Sequence, residues 1–463
     1  MMSQKVHPYI PNMVPEIQQE MLKEIGVNSV MELYNCIPEE LQLQENMNLP
    51  KALTEYELRR HIEEMLQKNA NAKEYLNFLG AGCWQHFIPA VCDEINQRSE
   101  FLTAYAGEPY EDHGRFQALF EYQSLLAELV DMDVVNVPTF DWGQAAATSI
   151  RMAARITNRK KVLLAKTVAP ERSKIIINYG SPDLTFDFVD FQIDSGLMNL
   201  ESLKSQLTDD VAALYFENPS YLGFIESQGE EISKLLKEKG VLMVVGVDPI
   251  TLGILAPPSH YGADIVCGDL QPLGMHMNFS GGQAGFIATR DEVEYVQEYP
   301  SRLFGVIPTI QEGEYGFGDV YYDRTSFALR EKGKESVGTQ TALWGITAGV
   351  YLALMGPDGI TEVGQVIRQN SQYAASQLDK VNGIRGSRFH SPFFKEFIVD
   401  FNETGMTVEE INKKLLQYKI FGGKDLSIEF PELGQCALYC VTEIHTKNDI
   451  DRFVNAVAEI IHK

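Results

Sequence analysis

The sequence predicts an α/β protein with a mostly parallel central sheet and an α+β domain at its C-terminal end. Three observations predict it. From residue 75 to about 330, short β-rich runs alternate with helical runs. Those runs are mostly apolar, as strands are when helices cover both faces of a sheet. Beyond the apolar run "ALWGITAGVYLALMGPDGI" (342–360), the pattern changes to isolated strands with amphipathic helices between and after them.

In chain order, residues 1–74 read as a polar helical arm. Thr54 is an N-cap and Glu57, three residues on, completes a capping box. Leu58, Ile62, Met65 and Leu66 then recur at helical spacing. Residues 75–340 read as the large domain. Its strand runs are "KVLLAK" (161–166), "SKIIINYG" (173–180), "LTFDFVDF" (184–191), "VAALYFENP" (211–219), "VLMVVGVDP" (241–249), "ADIVCGD" (263–269) and "AGFIATR" (284–290). Helices are expected over 116–130, 143–157 and 230–240. The helix over 342–360 opens a third region, 341–463, and is expected to stop at Gly356 and Pro357. Strands over 396–401 and 436–443 and helices over 407–418 and 448–461 complete the small domain.

Composition narrows the function. The 463 residues carry a net charge of −25, a field that repels nucleic acid. No apolar run reaches the roughly 18 residues of a membrane span, and no signal-like segment opens the chain. The six cysteines are scattered without a Cys-x-x-Cys pair, which argues against a zinc site and for free thiols in a reducing, cytoplasmic setting.

Several constellations are candidates for chemistry. Asp248 ends the run "VLMVVGVD", where α/β folds place ligands. An acid there pairs with the pyridinium nitrogen in pyridoxal enzymes; equally, it caps the turn fixed by Pro249. Gly143 starts a helix of small residues, "GQAAATSIRMAAR", suited either to an anion at its N-terminus or to close packing. The stretch "CGDLQPLGMHMNFSGGQAGF" (267–286) has the layout of a lysine-bearing cofactor loop, yet no lysine occurs between Lys239 and Lys332. Its Gly281, Gly282 and Gly285 permit close backbone approach to a ligand or a subunit. In "FLGAGCWQHFIP" (78–89), Gly80, Gly82 and His86 crowd a short loop; His86 is a proton carrier or a structural hydrogen bonder. "REKGKESVGTQ" (330–340) reads as a charged, solvated loop or an anion contact.

Taken in order, these segments resemble subunit 1 of the two-subunit glycine dehydrogenase (decarboxylating), the P-protein of the glycine cleavage system. The resemblance covers nearly the whole chain and is carried most specifically by "FLGAGCWQHFIP" together with "GADIVCGDLQPLG", supported by "ENPSYLGFIE", "YLALMGPDGI" and "FPELGQCALYCVTEIHTKNDIDRF". It implies the type I pyridoxal-phosphate-dependent transferase fold, as in aspartate aminotransferase. It also implies that the cofactor is held by subunit 2, with no covalent cofactor and no metal on this chain. Gln271 falls where subunit 2 has a histidine and Pro272 where it has the Schiff-base lysine, so no catalytic residue is expected here. Gly143, Asp248 and Gln271 would be relics of a cofactor site.

The implied partners are subunit 2, in a heterotetramer of two pairs, and the lipoylated H-protein. Gly80, Gly82, His86, Gly114, Gly281 and Gly282 are the candidates for facing the cleft or the partner. The chain departs from the family at "YAGEPYEDHG" (105–114), at "FDWG" (140–143) and at "ALREKGKESVGTQ". Those departures keep two further readings open: a subunit diverged toward another amino acid, and a stand-alone binding or regulatory protein on a retired enzyme fold.

Overall fold

The computed structural model describes residues 9–42, 48–101, 113–277, 284–336 and 341–462. The chain forms two compact units, Met1–Ala70 and Asn71–Lys463. In the first, helix α1 (Pro15–Ile25) begins with proline in its first turn and ends at Gly26, whose φ of 85° closes the helix. Helix α2 (Glu55–Leu66) carries the expected capping box: the Glu57 N–H donates to Thr54 Oγ1, and the Thr54 N–H donates to Glu57 Oε2 at 2.8 Å. Neither helix buries a residue, so Leu58, Ile62, Met65 and Leu66 form an exposed apolar face.

The second unit is organised by a seven-stranded sheet. Its strands are β1 (Val134–Val135), β2 (Lys161–Ala165), β3 (Thr185–Val189), β4 (Val211–Glu217), β5 (Leu242–Val247), β6 (Ile265–Asp269) and β7 (Gly285–Thr289). Their order across the sheet is β1-β7-β6-β5-β4-β2-β3. The pairs from β3 to β6 are parallel, whereas β7 runs antiparallel to both β6 and β1. Every residue of β4, β6 and β7 is buried. Strand β3 departs from the expected burial: it is the sheet edge and buries only Val189.

Helices α3 (His113–Val130), α4 (Trp142–Thr157), α5 (Pro170–Gly180) and α6 (Gly229–Lys237) accompany the sheet. Two expectations need correction. "SKIIINYG" is not a strand but the body of α5. Pro170 occupies the first turn, where its missing N–H costs nothing, and Ile176 packs into the core. The helix expected to stop at Gly356 instead kinks there. Gly356 takes a φ of 59°, Pro357 restarts the helix, and α7 runs on as Ala342–Leu378.

The C-terminal domain sets a three-stranded antiparallel sheet, β10 (Glu396–Asp400), β11 (Lys424–Asp425) and β12 (Cys436–Cys440), with β12 central; a separate hairpin, β8 (Phe304–Pro308) with β9 (Tyr315–Asp319), precedes it. Helices α8 (Val408–Leu415) and α9 (Lys447–His462) bury Val408, Ile411, Phe453 and Val457 in its own core. The two cores meet at Cys440, which packs with the large-domain core between Tyr439 and Val441 of the small-domain core, and at the dipeptide before Lys395. Phe394 packs with the large-domain core and Phe393 with the small-domain core.

Candidate functional site

Three neighbouring parallel strands each deliver a buried acid to the carboxyl edge of the sheet. Glu217 ends β4, Asp248 follows β5 and Asp269 ends β6, with exposures of 2%, 4% and 3%. Three adjacent buried carboxylates would be prohibitively costly unless each is neutralised. The chain neutralises each in a different way.

Glu217 is held by Arg172 on α5 through two parallel bonds, Nε to Oε1 at 2.6 Å and Nη2 to Oε2 at 2.7 Å. The same guanidinium lies 4.0 Å from the centroid of the Trp142 ring. Among the described residues, no cation forms an ion pair with Asp269. Burial pushes its carboxyl up to about 7, and Asp141 adds to the rise. The Gln271 N–H, 2.8 Å from Oδ1, and the more distant Arg172 oppose it.

Asp248 does two things. Oδ1 accepts the Ile250 N–H at 3.2 Å, so it caps the turn after β5. Oδ2 lies 2.6 Å from the ammonium of Lys395, which directly precedes β10 in the other domain. That approach is ionic rather than a directed hydrogen bond. The Lys395 ammonium also sits 3.6 Å from the centroid of the Trp84 ring and 3.1 Å from His86 Nε2. An ammonium has only donors, so Nε2 accepts and the proton of His86 resides on Nδ1. Nδ1 faces Glu443 Oε2 at 2.8 Å. Burial opposes ionisation of Glu443, but hydrogen bonds from His86 and from the Phe87 N–H (2.7 Å) favour the carboxylate and hold its pKa below the ordinary value. Lys395 is 2% exposed and His86 8%.

Gln271 and Pro272 follow β6 in a buried turn. The Gln271 carboxamide is fully engaged with the protein. Oε1 accepts the Trp84 N–H at 3.1 Å, and Nε2 donates to Trp84 O at 2.8 Å and Met275 O at 3.1 Å. It staples the Trp84 loop to the end of the sheet. Gly143 sits in the first turn of α4, and a Cβ there would approach Ile175 Cδ1 to 2.8 Å. Glycine therefore lets α4 pack closely on α5 beside the Ile175 side chain. The α4 N-terminus already holds an anion of its own, since Asp141 Oδ1 accepts the Gln144 N–H at 2.7 Å.

Of the remaining candidates, Gly82 borders the cleft with a φ of 107°, and Gly80 lies against Glu396 and Cys440, where a Cβ would come within 2.7 Å of Cys440 Cβ. His86 is buried behind Lys395, with Nε2 3.1 Å from its ammonium. Gly114 is in the first turn of α3. Gly281 and Gly282, and residues 105–112 of the "YAGEPYEDHG" segment, lie outside the described residues. In 330–340, Glu335 is no solvated loop residue: it is buried and bonds Thr148, Tyr179 and Arg155. Sequence reasoning passed over Lys395, Arg172, Trp84 and Trp142. The available signal for Lys395 was a lone lysine inside the apolar run "FFKEFIV", where the strand pattern demands burial.

These features define a chain of the type I pyridoxal-phosphate-dependent fold, whose ligand cleft lies at the carboxyl edge of the sheet between two domains. A glutamate decarboxylase from Lactobacillus brevis shares the fold at 12% identity, with a TM-score of 0.67 over 94% of this chain and 97% of that one. A crystal structure of the glycine decarboxylase (P-protein) of the glycine cleavage system, in inhibitor-bound form, matches with a TM-score of 0.83 and 29% identity, covering 98% of this chain and 100% of that one. In sequence, the probable glycine dehydrogenase (decarboxylating) subunit 1 of Staphylothermus marinus is 39% identical over 466 residues, covering 99% of each chain. The model of the glycine cleavage system P-protein family matches residues 7–457, and the chain belongs to that family.

Pyridoxal phosphate, the cofactor this fold implies, does not fit the residues present. Its ring nitrogen would need Asp248, which Lys395 already pairs. Its phosphate would need helix N–H groups, and Asp141 caps α4. Its aldehyde would need a lysine beyond the end of β6, and residues 240–331 hold none. The space left between Trp84, Trp142, Arg172, Asp248 and Lys395 is about 20 Å³, enough for a single water.

Proposed function

We propose that this chain is the lysine-less, non-catalytic subunit of a two-chain glycine decarboxylase P-protein. Its partner, subunit 2, holds pyridoxal phosphate, decarboxylates glycine with release of CO2, and passes the aminomethyl group to the lipoyl arm of the H-protein. This chain completes the shared interface and supports that subunit in an assembly of two pairs. The observation that carries the reading is Pro272 in the turn after β6, fixed by the Gln271 staple. A proline nitrogen in a peptide bond cannot form a Schiff base, and no lysine in 240–331 can replace it. Among the described residues no helix is long and apolar enough to cross a membrane, and the six cysteines are all free, which supports placing the complex in the cytoplasm.

Co-expression with subunit 2 tests the proposal. Visible pyridoxal absorbance and H-protein-dependent exchange of the glycine carboxyl carbon are expected only when both chains are present. Decarboxylation of glycine by this chain alone, or exchange on another amino acid but not glycine, overturns it.

A further inference from the structure

The cleft does more than lack a lysine. Each group that would anchor an aromatic, phosphorylated cation is already satisfied from within the chain, and at Asp248 the satisfying group is itself a cation. We propose that Lys395 is a tethered stand-in for a ring cation: it occupies the seat at Asp248 and clasps the C-terminal domain to the central sheet. The proposal rests on the reading of this chain as the cofactor-free subunit.

Four observations support the seat. The Lys395 ammonium has an acid on one side at 2.6 Å and an aromatic face on another at 3.6 Å, the surroundings that favour an organic cation. Trp84 and Trp142 stand with centroids 6.4 Å apart, and the Arg172 guanidinium lies 4.0 Å from the Trp142 ring centroid, so rings and cations fill the volume together. The walls remain polar: Ser220 Oγ is buried with no hydrogen-bond partner among the described residues, and Trp84 and Trp142, which face Glu396 and Tyr215, border the same small space. Finally, the Lys395 ammonium donates to His86 Nε2, and the other ring nitrogen of His86 is anchored by Glu443, so the ammonium is positioned rather than merely trapped.

The clasp follows from where Lys395 stands. Its neighbour Phe394 belongs to the large-domain core and Phe397 to the small-domain core. The large domain comes up against this segment along its backbone. The Ile225 N–H donates to Pro392 O at 2.7 Å, and Gly223, at φ 88°, packs where a Cβ would lie 2.3 Å from Glu396 O. The Lys395–Asp248 pair closes that seam from inside. Breaking it would leave Asp248 buried and uncompensated.

The test uses the full chain with Lys395→Ala, which removes three methylenes and the ammonium. n-Propylammonium matches the deleted atoms, N-methylpyridinium is a ring cation of fixed charge, and 1-propanol is the neutral isostere, with sodium chloride as the ionic control. The variant is expected to melt several degrees below the parent chain. Propylammonium and N-methylpyridinium are expected to recover a few degrees of that loss, propanol and sodium chloride none, and the parent chain is expected not to respond. Adding Asp248→Asn is expected to abolish the preference for cations.

Equal effects of propanol and propylammonium, or an equal response of the parent chain, overturn the proposal. Where Lys395→Ala does not fold unaided, the readout is refolding yield. Recovery by the cations alone supports the seat; recovery by neither or by all overturns it. Partner-dependent decarboxylation is measured on the reconstituted pair, so the two readings fail separately.

Discussion

Replacing Asp269 by asparagine should change how stability depends on pH while leaving the local hydrogen bond in place. Asp269 is 3% exposed, and burial raises its carboxyl from an ordinary 3.8 to about 7. A carboxyl that holds its proton more tightly when folded stabilises the chain fully at low pH. That contribution is lost as pH rises through the folded value. The window therefore runs from about pH 4 to about pH 7, and at about 1.4 kcal/mol per pH unit the loss sums to about 4 kcal/mol.

Asparagine retains an Oδ1 to accept the Gln271 N–H, now 2.8 Å from the aspartate. It carries no charge at any pH. The difference in unfolding free energy, Asp269→Asn minus parent, should be within about 1 kcal/mol of zero near pH 4. It should climb across the window and level off above pH 7, with the variant more stable. Urea unfolding at half-unit pH intervals measures it, and subtracting the parent curve removes every other titrating group. A difference that stays flat from pH 4 to 8, or falls, would refute the claim that Asp269 is kept neutral by burial.

Three further outcomes are expected. Pro272→Lys alone should give no borohydride-trappable aldimine with pyridoxal phosphate on that residue, because Asp248 stays paired to Lys395 and the cleft stays filled; mass spectrometry after reduction reads this. Gly223→Ala should cost about 3 kcal/mol or more, since the new Cβ meets the Glu396 backbone. Gly405 has a similar φ of 73° but open space around it. Gly405→Ala should therefore cost only about 1 kcal/mol, and urea midpoints compare the two. Arg172→Ala should cost about 3–5 kcal/mol by leaving Glu217 charged and buried, while Arg172→Met with Glu217→Leu should recover most of that loss.

Much of the fold is legible in the sequence because burial in a parallel sheet writes continuous apolar runs. "VAALYFE" and "IVCGD" read as strands and are buried at every position. The same logic misleads at "SKIIINYG", where three consecutive isoleucines suggest a strand. The deciding signals are Pro170 and Glu171 at a helix start, and tertiary packing of Ile176 overrides β-propensity. Gly356-Pro357 reads as a stop because proline breaks a hydrogen bond, but a kink satisfies the same constraint.

The site is legible in part. Asp248, Gln271 and Pro272 lie on elements whose position the strand pattern fixes. Their partners come from distant segments: Lys395 from the C-terminal domain, Trp84 from the loop well before α3, Arg172 from a helix that reads as a strand. Nothing in local spacing links Asp248 to Lys395; only the closure of one domain on the other brings them together.

The central claim is that this chain lends its fold, and not a cofactor lysine, to the enzyme. Borohydride reduction of the reconstituted two-chain complex, followed by peptide mapping of both chains, tests it most directly. The account predicts a stoichiometric phosphopyridoxyl group on one lysine of the partner chain and none on this chain. A stoichiometric adduct on any lysine of this chain, Lys395 above all, would contradict it.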